Sequence, residues 1–243
     1  MTSTDLKTSP ISIVIPTRNE ALHIAATIAS AQTEGVLEIL VVDGGSTDKT
    51  VDIAREAGVR VIAADLGRAV QMNMGAAIAQ GEILLFLHGD TLLPPEFARR
   101  VVETLRRPGI VAGAFALAID LPGPAVRLVE KMANFRSSCL RMPYGDQAIF
   151  LYRRQFIESG GYPEEPILED VLLIQHLKKS GRIGIVPSPV LTSGRRWQGL
   201  GVLKTTLINQ GIMLGHLAGL SPQRLHGWYG IAKKIRNGGL LGQ

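Results

Sequence analysis

Cysteine, long apolar runs and an apolar leader are all missing or scarce in this chain of 243 residues. Its one cysteine, Cys139, excludes an intrachain disulfide and favours a reducing compartment. We expect it to pack inertly, because no base motif accompanies it. The first ten residues lack the apolar segment of a signal peptide, and no stretch resembles a membrane-spanning helix. We therefore expect a cytoplasmic protein, with peripheral attachment to the inner face of the cell membrane left open.

Acidic residues are absent from the last 73 residues, which all follow Asp170. This segment carries ten Lys and Arg, whereas the first 170 residues have 16 Lys and Arg against 21 Asp and Glu. A basic C-terminal part predicts contact with a polyanion, either a diphosphate or an anionic membrane surface, although a solvated basic face would look the same. Nucleic acid is disfavoured, because no nucleic-acid-binding motif is present and the basic tail is interleaved with Leu, Ile, Trp228 and Tyr229.

The hydrophobic content of 46% is enough for one substantial core. We predict a single domain over residues 1–220 and a basic amphipathic extension over residues 221–243. Three arrangements of the extension stay open. It could lie on anionic lipid, dock on the core, or cover the active site.

Strand and helix patterns alternate three times in the first 90 residues, which predicts an α/β fold with parallel strands. Beyond Asp90 strand and helix patterns no longer alternate regularly, and we expect a second part of the sheet with mixed strand directions. The first predicted helix covers residues 17–32, with Asn19 or Thr17 as its N-cap. Predicted strands cover 11–15, 38–42, 59–63, 83–87, 111–119, 148–152 and 183–186. Other predicted helices cover 48–57, 68–79, 94–107, 125–140, 169–179 and 200–218.

Two of the predicted strands end in acidic residues. The strand 83–87 runs into His88-Gly89-Asp90, and the strand 38–42 runs into Asp43. Because the carboxyl ends of parallel strands meet at one edge, where open α/β sheets bind ligands, these acids indicate a nucleotide and a divalent cation. The alternative is that they belong to turns or helix caps, and Asp48 is the better cap candidate of the second segment.

Six motifs in a fixed order carry a resemblance that covers about residues 11–200. They are ISIVIPTRNE, EILVVDGGSTDKT, GRAVQMNMGAAIAQGEILLFLHGDT, GDQAIF, EEPILED and SGRRW. The set resembles the inverting family 2 glycosyltransferases of GT-A fold, whose mixed, mainly parallel sheet is flanked by helices. GDQAIF and SGRRW are similar to a small bacterial subgroup labelled as arsenosugar-biosynthesis or carotenoid-acid glycosyltransferases.

The resemblance implies metal-dependent transfer of one sugar, typically a hexose, from a nucleotide sugar to a hydroxyl or carboxyl group. The donor is expected to be a UDP-sugar by family frequency, and the acceptor a small molecule or a lipid. Mg²⁺ or Mn²⁺ is the expected cofactor. Larger relatives carry a Gln three residues before Arg196, where this chain has Ser193. We therefore expect a single transfer rather than processive synthesis.

The resemblance also implies a donor site. The residues carried over are Pro16, Thr17 and Glu20 for the nucleotide, Asp43 for the base edge, Arg68 for phosphate or nucleoside, His88 for ribose or phosphate, and Asp90 for the metal. His88 stands where the family often has an acidic residue, so a second carboxylate ligand is missing. Arg68 could instead be an ordinary surface residue, and His88 a structural residue at a strand end.

For catalysis the resemblance implies that Asp170 is the base that deprotonates the acceptor, with Glu169 beside it. In the absence of the other motifs, these acids in a first helical turn would be explained by the helix dipole. Further residues are expected near the sugars and the diphosphate: Asp146 and Gln147 as sugar-hydroxyl partners, Arg195 or Arg196 on the diphosphate, and Trp197 stacked on a sugar or simply packed.

Two other functions compete with sugar transfer. A nucleotidyltransferase normally has a Gly-rich loop after its first strand, and the segment Pro16-Thr17-Arg18-Asn19 has no Gly. A non-catalytic nucleotide-sugar or membrane-surface binding protein would explain His88 in the metal motif, but not the intact Asp90 and Asp170. Replacing Asp170 with Asn distinguishes a glycosyltransferase from a binding protein, since ligand binding should survive in both and only an enzyme has turnover to lose.

Overall fold

The computed structural model describes residues 9–227, which form an eight-stranded mixed sheet with helices on both faces. The order of the strands across the sheet is β3-β2-β1-β4-β7-β6-β8-β5. The strands are β1 (Ile11–Thr17), β2 (Val36–Asp43), β3 (Arg60–Ala63), β4 (Ile83–Phe86), β5 (Thr91–Leu92), β6 (Ile110–Asp120), β7 (Phe150–Tyr152) and β8 (Arg182–Ser193).

The helices lie between these strands and after the last one. They are α1 (Ile24–Ala31), α2 (Thr50–Glu56), α3 (Arg68–Ile78), α4 (Phe97–Leu105), α5 (Pro124–Leu140), α6 (Arg153–Glu158), α7 (Glu169–Leu177), α8 (Arg195–Leu200) and α9 (Val202–Leu217). A 3₁₀ turn covers Gly145–Gln147, and residues 222–227 are helical.

The first half of the sheet is parallel, as predicted. Strand β1 pairs with β2 and β4, and β2 pairs with β3. Successive residues of β1 point to opposite faces, so Ile13 and Ile15 enter one hydrophobic cluster and Val14 enters the other. Both faces of the sheet are therefore buried, which explains why the strand sequences are almost continuously apolar.

The second half is mixed. Strand β7 runs antiparallel to β4 and β6, and β8 runs parallel to β6. The carboxyl ends of β1, β4, β6 and β8 consequently meet at the same edge of the sheet. Residues from the three segments that follow β1, β4 and β8 can converge there.

Several predicted boundaries were wrong. The first helix begins at Ile24 rather than near Thr17, and no side chain caps it. Strand β8 runs to Ser193, far beyond the predicted end at 186, because a register shift beside Phe115 accommodates its two prolines. The short elements β5 and α6 were not predicted. Cys139 lies exposed on α5 and does not pack in the core.

The beginning of the predicted extension packs on α9. Leu225 is fully buried, and a Cβ atom placed on Gly215 would lie 2.6 Å from Leu225 Cδ2. Residues 228–243, with Trp228 and Tyr229, lie outside the described residues, so the arrangement of that segment stays a prediction. Within residues 9–227, no helix combines the length and apolar character needed to cross a bilayer.

Candidate active site

A cavity of about 470 Å³ opens at the shared carboxyl edge of the strands. It brings together most of the site residues predicted from the sequence. Those that line it are Pro16, Glu20, Arg68, His88, Asp90, Asp146, Asp170, Arg195, Arg196 and Trp197. Thr17, Asp43, Gln147 and Glu169 are outside this lining.

One side of the cavity holds two carboxylates and a guanidinium group. Arg195 Nη2 lies 3.0 Å from Asp90 Oδ2 and also donates to Glu20 Oε1. Burial raises the pKa of Glu20, and the charge of Arg195 opposes this shift. The other carboxylate oxygen of Glu20 is buried and has no hydrogen-bond partner among the described residues. Arg195 thus pairs with both carboxylates, which are far from it in the sequence, so that no local pattern reveals the contact.

His88 is held in its neutral form at this site. Burial, helped by the charges of Arg68, Arg195 and Arg196, lowers the pKa of His88 to about 3. Its Nε2 atom is buried without a hydrogen-bond partner in the described part of the chain. A neutral imidazole surrounded by arginines leaves their positive charge available to an anion, and Nε2 can still accept or donate one hydrogen bond.

The neutral state of His88 predicts how stability depends on pH. Between pH 6.5 and about 3 the unfolded chain binds a proton at this residue that the folded chain does not. Protonation of His88 in the unfolded chain therefore lowers the free energy of unfolding as the pH is lowered across this window, by up to about 1.4 kcal/mol per pH unit. In His88→Gln we expect a shallower fall, measured by urea unfolding at pH 7, 6, 5 and 4. Parallel curves for the two proteins would show that His88 titrates normally.

Asp170 lies in the first turn of α7, beside the Gly145–Gln147 turn. Asp170 Oδ2 accepts a hydrogen bond from the backbone N–H of Gly145 at 2.5 Å, and Oδ1 accepts one from Val171 at 2.8 Å. A Cβ atom on Gly145 would lie 3.2 Å from Asp170 Oδ2 and 3.0 Å from His88 Nε2. The glycine therefore lets the turn sit directly against both side chains.

Asp146 faces the same space from the 3₁₀ turn. Burial raises the pKa of Asp146, and the charge of Asp170 adds to the increase, while Arg136 opposes it. Asp146 Oδ1 is buried with no hydrogen-bond partner among the described residues. An unpartnered oxygen of this kind in a cavity wall is suited to a hydroxyl group of a ligand.

Glu169 forms an ion pair with Arg68. Glu169 Oε1 lies 3.1 Å from Arg68 Nη1. Burial raises the pKa of the almost inaccessible Glu169, and Arg68 opposes this increase. The pair connects the N-termini of α3 and α7, so Glu169 positions Arg68 at the edge of the cavity.

Thr17 and Asp43 have their contacts within the protein. The side-chain amide of Gln71 donates to the carbonyl oxygens of Thr17 (2.9 Å) and Val42 (2.7 Å), and it joins the ends of β1 and β2. Asp43 Oδ2 accepts from the backbone N–H groups of Gly45 and Ser46, at 3.0 and 2.9 Å. Contact of Asp43 with a base stays a prediction.

Asp48 is not the N-cap residue of α2, which is Lys49, but its side chain supports the start of that helix. Its carboxylate accepts from the backbone N–H of Thr50 at 3.0 Å, in the first turn of α2, and from that of Ala21 at 3.2 Å. The loop after β1 is joined to the loop after β2 at a second point, because Asn19 Oδ1 accepts from the N–H of Thr47. Asn19 is therefore a link between loops rather than the predicted helix cap.

Gln147 does not reach the cavity. Its side chain is completely buried, with Oε1 accepting from Ser137 Oγ at 2.7 Å and Nε2 donating to the carbonyl of Phe115 at 2.8 Å. In this structure it anchors the turn that carries Asp146, and the predicted contact with a sugar hydroxyl is not formed by its amide. Trp197 is 8% exposed and belongs to the main hydrophobic cluster, which favours the packing alternative.

A second cavity of about 620 Å³ adjoins the first. Arg68, Tyr144, Asp146, Asp170, Arg196 and Trp197 contribute to the lining of both. The part that belongs only to the second cavity includes Ile167, Leu168, Val171, Ile212 and Met213. Asp170 therefore lies at the junction of a charged space and a more apolar one.

Sequence reasoning missed three contributions to the site. Gln71 lies on the buried face of α3, where a polar residue is an informative exception. Tyr144 lines both cavities, and the guanidinium carbon of Arg136 lies 3.4 Å from the centroid of its ring. The sequence signal for Tyr144 is its position directly before Gly145 and Asp146. Helix α9 supplies Ile212 and Met213, and no local pattern could show that its apolar residues line a cavity.

The carboxylates of this cavity fit a divalent cation whose remaining coordination positions are filled by a bound ligand and water. Within residues 9–227, no three His, Cys, Asp or Glu side chains come together as a metal-binding group. Asp90 offers one carboxylate at the cavity wall, near the unpartnered oxygen of Glu20. One or two carboxylates together with phosphate oxygens and water is the arrangement in which Mg²⁺ commonly binds at nucleotide sites.

This mixed sheet, with acids and arginines at its carboxyl edge, has the GT-A architecture. The family model described as Glycosyl transferase family 2 matches residues 12–161, and the chain belongs to that family. This confirms the family predicted from the ordered motifs, and the narrower subgroup stays a prediction.

Curated relatives are glycosyltransferases. A PGL/p-HBAD biosynthesis glycosyltransferase of Mycobacterium bovis is 44% identical over 91 residues, which are 34% of this chain and 36% of the relative. A 4,4'-diaponeurosporenoate glycosyltransferase of Staphylococcus haemolyticus is 31% identical over 104 residues, 39% of this chain and 28% of the relative. The chain spans about a third of the length of these relatives.

Solved structures share the fold. Glucosyl-3-phosphoglycerate synthase from Mycobacterium tuberculosis, in complex with Mn²⁺, UDP-glucose and phosphoglyceric acid, has a TM-score of 0.64 at 22% identity, over 91% of this chain and 85% of that one. S. aureus TarS in complex with UDP-GlcNAc has a TM-score of 0.61 at 17% identity, over 76% of this chain and 58% of that one. These neighbours confirm the predicted GT-A architecture.

Proposed function

We propose that this protein is a metal-dependent, inverting glycosyltransferase that moves one sugar from a nucleotide sugar to a hydroxyl or carboxyl acceptor. The observation that carries the proposal is the position of Asp170 between two adjoining cavities. One of them presents arginines and Asp90, as a nucleotide diphosphate requires, and the other has room for an acceptor. The family supports the same reaction class.

Asp170 acts as the general base in this proposal. It takes the proton from the acceptor hydroxyl as the hydroxyl oxygen forms a bond to the anomeric carbon. The bond from that carbon to the diphosphate breaks on the opposite face, and the electron pair leaves with the diphosphate. The hydrogen bonds from the Gly145 and Val171 N–H groups hold the carboxylate in one orientation.

The diphosphate lies among Arg68, Arg195 and Arg196, with Asp90 as the protein ligand for Mg²⁺ or Mn²⁺. When bound there, the cation neutralises part of the charge on the leaving diphosphate. Arg195, which pairs with Asp90 in this structure, would be able to contact a phosphate oxygen if a cation were bound by that carboxylate. UDP is the nucleotide we propose, since the solved neighbours were determined with UDP, UDP-glucose or UDP-GlcNAc.

Thermal unfolding with a panel of nucleotides, with Mn²⁺, Mg²⁺ or EDTA, tests the donor site. A ligand at 100 times its dissociation constant adds about 2.7 kcal/mol to the free energy of unfolding. We expect a metal-dependent increase in Tm with UDP and one or more UDP-sugars. An increase in Tm with a nucleoside triphosphate alone would favour a nucleotidyltransferase. No increase in Tm with any nucleotide would contradict the proposed donor site.

A non-catalytic nucleotide-sugar or membrane-surface binding protein is the second candidate. The pairing of Arg195 with Asp90 and the histidine in place of an acid favour it. The two candidates separate at the chemical step. A binding protein would take up the UDP-sugar without releasing UDP, whereas the proposed enzyme releases UDP as the sugar is transferred.

Contact with an anionic membrane surface is a further part of the proposal. Two features favour this contact: the basic residues after Asp170, and the exposed leucines of α9, namely Leu203, Leu207, Leu214 and Leu217. We expect the protein to sediment with phosphatidylglycerol vesicles at low salt and to be released as the salt is raised, because the Debye length shortens to about 3 Å at 1 M. Equal binding to phosphatidylcholine vesicles would contradict an electrostatic contact.

A further inference from the structure

The second cavity differs in chemistry from the first. Beyond the residues that the two share, its wall includes five apolar side chains, Ile167, Leu168, Val171, Ile212 and Met213, contributed by the segment before α7, by α7 itself and by α9. These side chains offer surface to an apolar group and no hydrogen bond. A ligand reaching Asp170 through this cavity must pass along them.

Three of the four polar side chains that line only this cavity are engaged with other residues of the protein, and the fourth is His226. Glu169 pairs with Arg68, Asn209 Oδ1 accepts from Arg196 at 2.7 Å, and Glu165 Oε2 accepts from Gln223 at 2.7 Å. A sugar or another polyhydroxylated acceptor would find His226 here and Asp146 Oδ1 where the two cavities meet, and beyond these it would have to break the three side-chain contacts or leave its remaining hydroxyl groups unpaired. Either outcome costs free energy, which disfavours such an acceptor.

The backbone at Leu168 adds an independent observation. Leu168 has φ +68° and precedes the first residue of α7. A bulky residue pays a conformational penalty in this region that glycine would avoid, and such strain is concentrated at functional sites. Here the strained residue is an apolar one that lines the cavity next to Glu169 and Asp170.

We propose that the acceptor is an alcohol with an extended apolar body, of the lipid-alcohol class, whose hydroxyl reaches Asp170 while its hydrocarbon part fills the second cavity. This inference rests on the proposed function, because it names the acceptor class of the same site. The cavity of about 620 Å³ is in the size range that encloses most of a drug-sized ligand.

A series of n-alkanols from butanol to decanol tests the proposal. The assay follows UDP release with Mn²⁺ and the UDP-sugar that gives the largest thermal shift, and it compares each alkanol with glycerol and glucose. Burial of one methylene group contributes roughly fourfold in affinity. We therefore expect KM to fall with each added methylene until the cavity is filled, and we expect glycerol and glucose to stimulate UDP release little above the rate with water.

Two variants locate the effect. Ile212→Glu puts a charge on the cavity wall and should raise the KM for octanol at least tenfold, while its thermal shift with UDP and Mn²⁺ shows that the protein is folded. Leu37→Glu is the matched control, since Leu37 is 52% exposed at the start of β2, the end of the strand away from the site. It should leave the KM for octanol unchanged.

The outcomes separate the two levels of the proposal. If no UDP-sugar binds or reacts, the proposed function itself fails. If UDP is released from the donor but the alkanols do not stimulate the release, or if KM is flat along the series, the inference of an apolar acceptor is overturned and sugar transfer stands. An equal rise of the octanol KM in Leu37→Glu would also overturn it, because the effect would then not arise in the cavity.

Discussion

Asp170→Asn will lower the turnover of sugar transfer by about a hundredfold to ten-thousandfold, the range associated with loss of a general base. Asparagine keeps the shape of the side chain and one acceptor oxygen for the Gly145 N–H, but it cannot take a proton from the acceptor. Binding of UDP with Mn²⁺ should survive, because Asp170 is not one of the residues proposed to hold the diphosphate or the cation. The comparison requires kcat from UDP release and Tm with and without UDP.

Asp52→Asn provides the matched control for this variant. Asp52 is also an acid in the first turn of a helix, α2, but it is exposed and outside both cavities. If Asp170 were present only to interact with the helix dipole, the two variants would behave alike, with a small loss of stability and no change in turnover. Full turnover in Asp170→Asn would show that the base is another residue.

Asp90→Asn will remove the metal-dependent part of nucleotide binding. The amide oxygen is a much weaker ligand for Mg²⁺ or Mn²⁺ than a carboxylate, and no cluster of three His, Cys, Asp or Glu side chains exists among residues 9–227 to replace it. We expect the stabilisation by UDP at 100 times the wild-type dissociation constant, about 2.7 kcal/mol, to lose its dependence on Mn²⁺ and most of its size. Turnover with Mn²⁺ should fall with it.

The same Asp52→Asn protein controls for the loss of one negative charge. A wild-type response to Mn²⁺ in Asp90→Asn would contradict the metal assignment. In that case Glu20, with its unpartnered oxygen next to Arg195, would be the remaining carboxylate of this part of the cavity to examine.

The ends of the parallel strands could be predicted from the sequence because the signals are local. An apolar run followed by Asp90 identifies a strand and its end, and parallel pairing then places that end at the ligand edge. The base role proposed for Asp170 rests on the resemblance of EEPILED to a family motif. Local physics alone would have explained that acid by the helix dipole.

What could not be predicted depends on contacts between distant segments. The pairing of Arg195 with Asp90 and Glu20 arises only when β5, which follows Asp90, pairs with the carboxyl end of β8. The strand predicted over residues 183–186 continues to Ser193, because a register shift lets it pass its two prolines. Gln147 looked like a ligand because its motif adjoins Asp146, but successive residues of the turn point to the core and to the cavity.

The most direct measurement is proton NMR of a UDP-sugar incubated with the purified protein, Mn²⁺ and octanol. An inverting transferase predicts the loss of the α-anomeric signal of the donor, release of UDP, and a new β-anomeric signal with the large coupling constant of a β-glucoside when UDP-glucose is the donor. A donor that binds, as judged by Tm, but stays intact would contradict catalysis. A product with the α configuration would contradict attack from the face opposite the diphosphate.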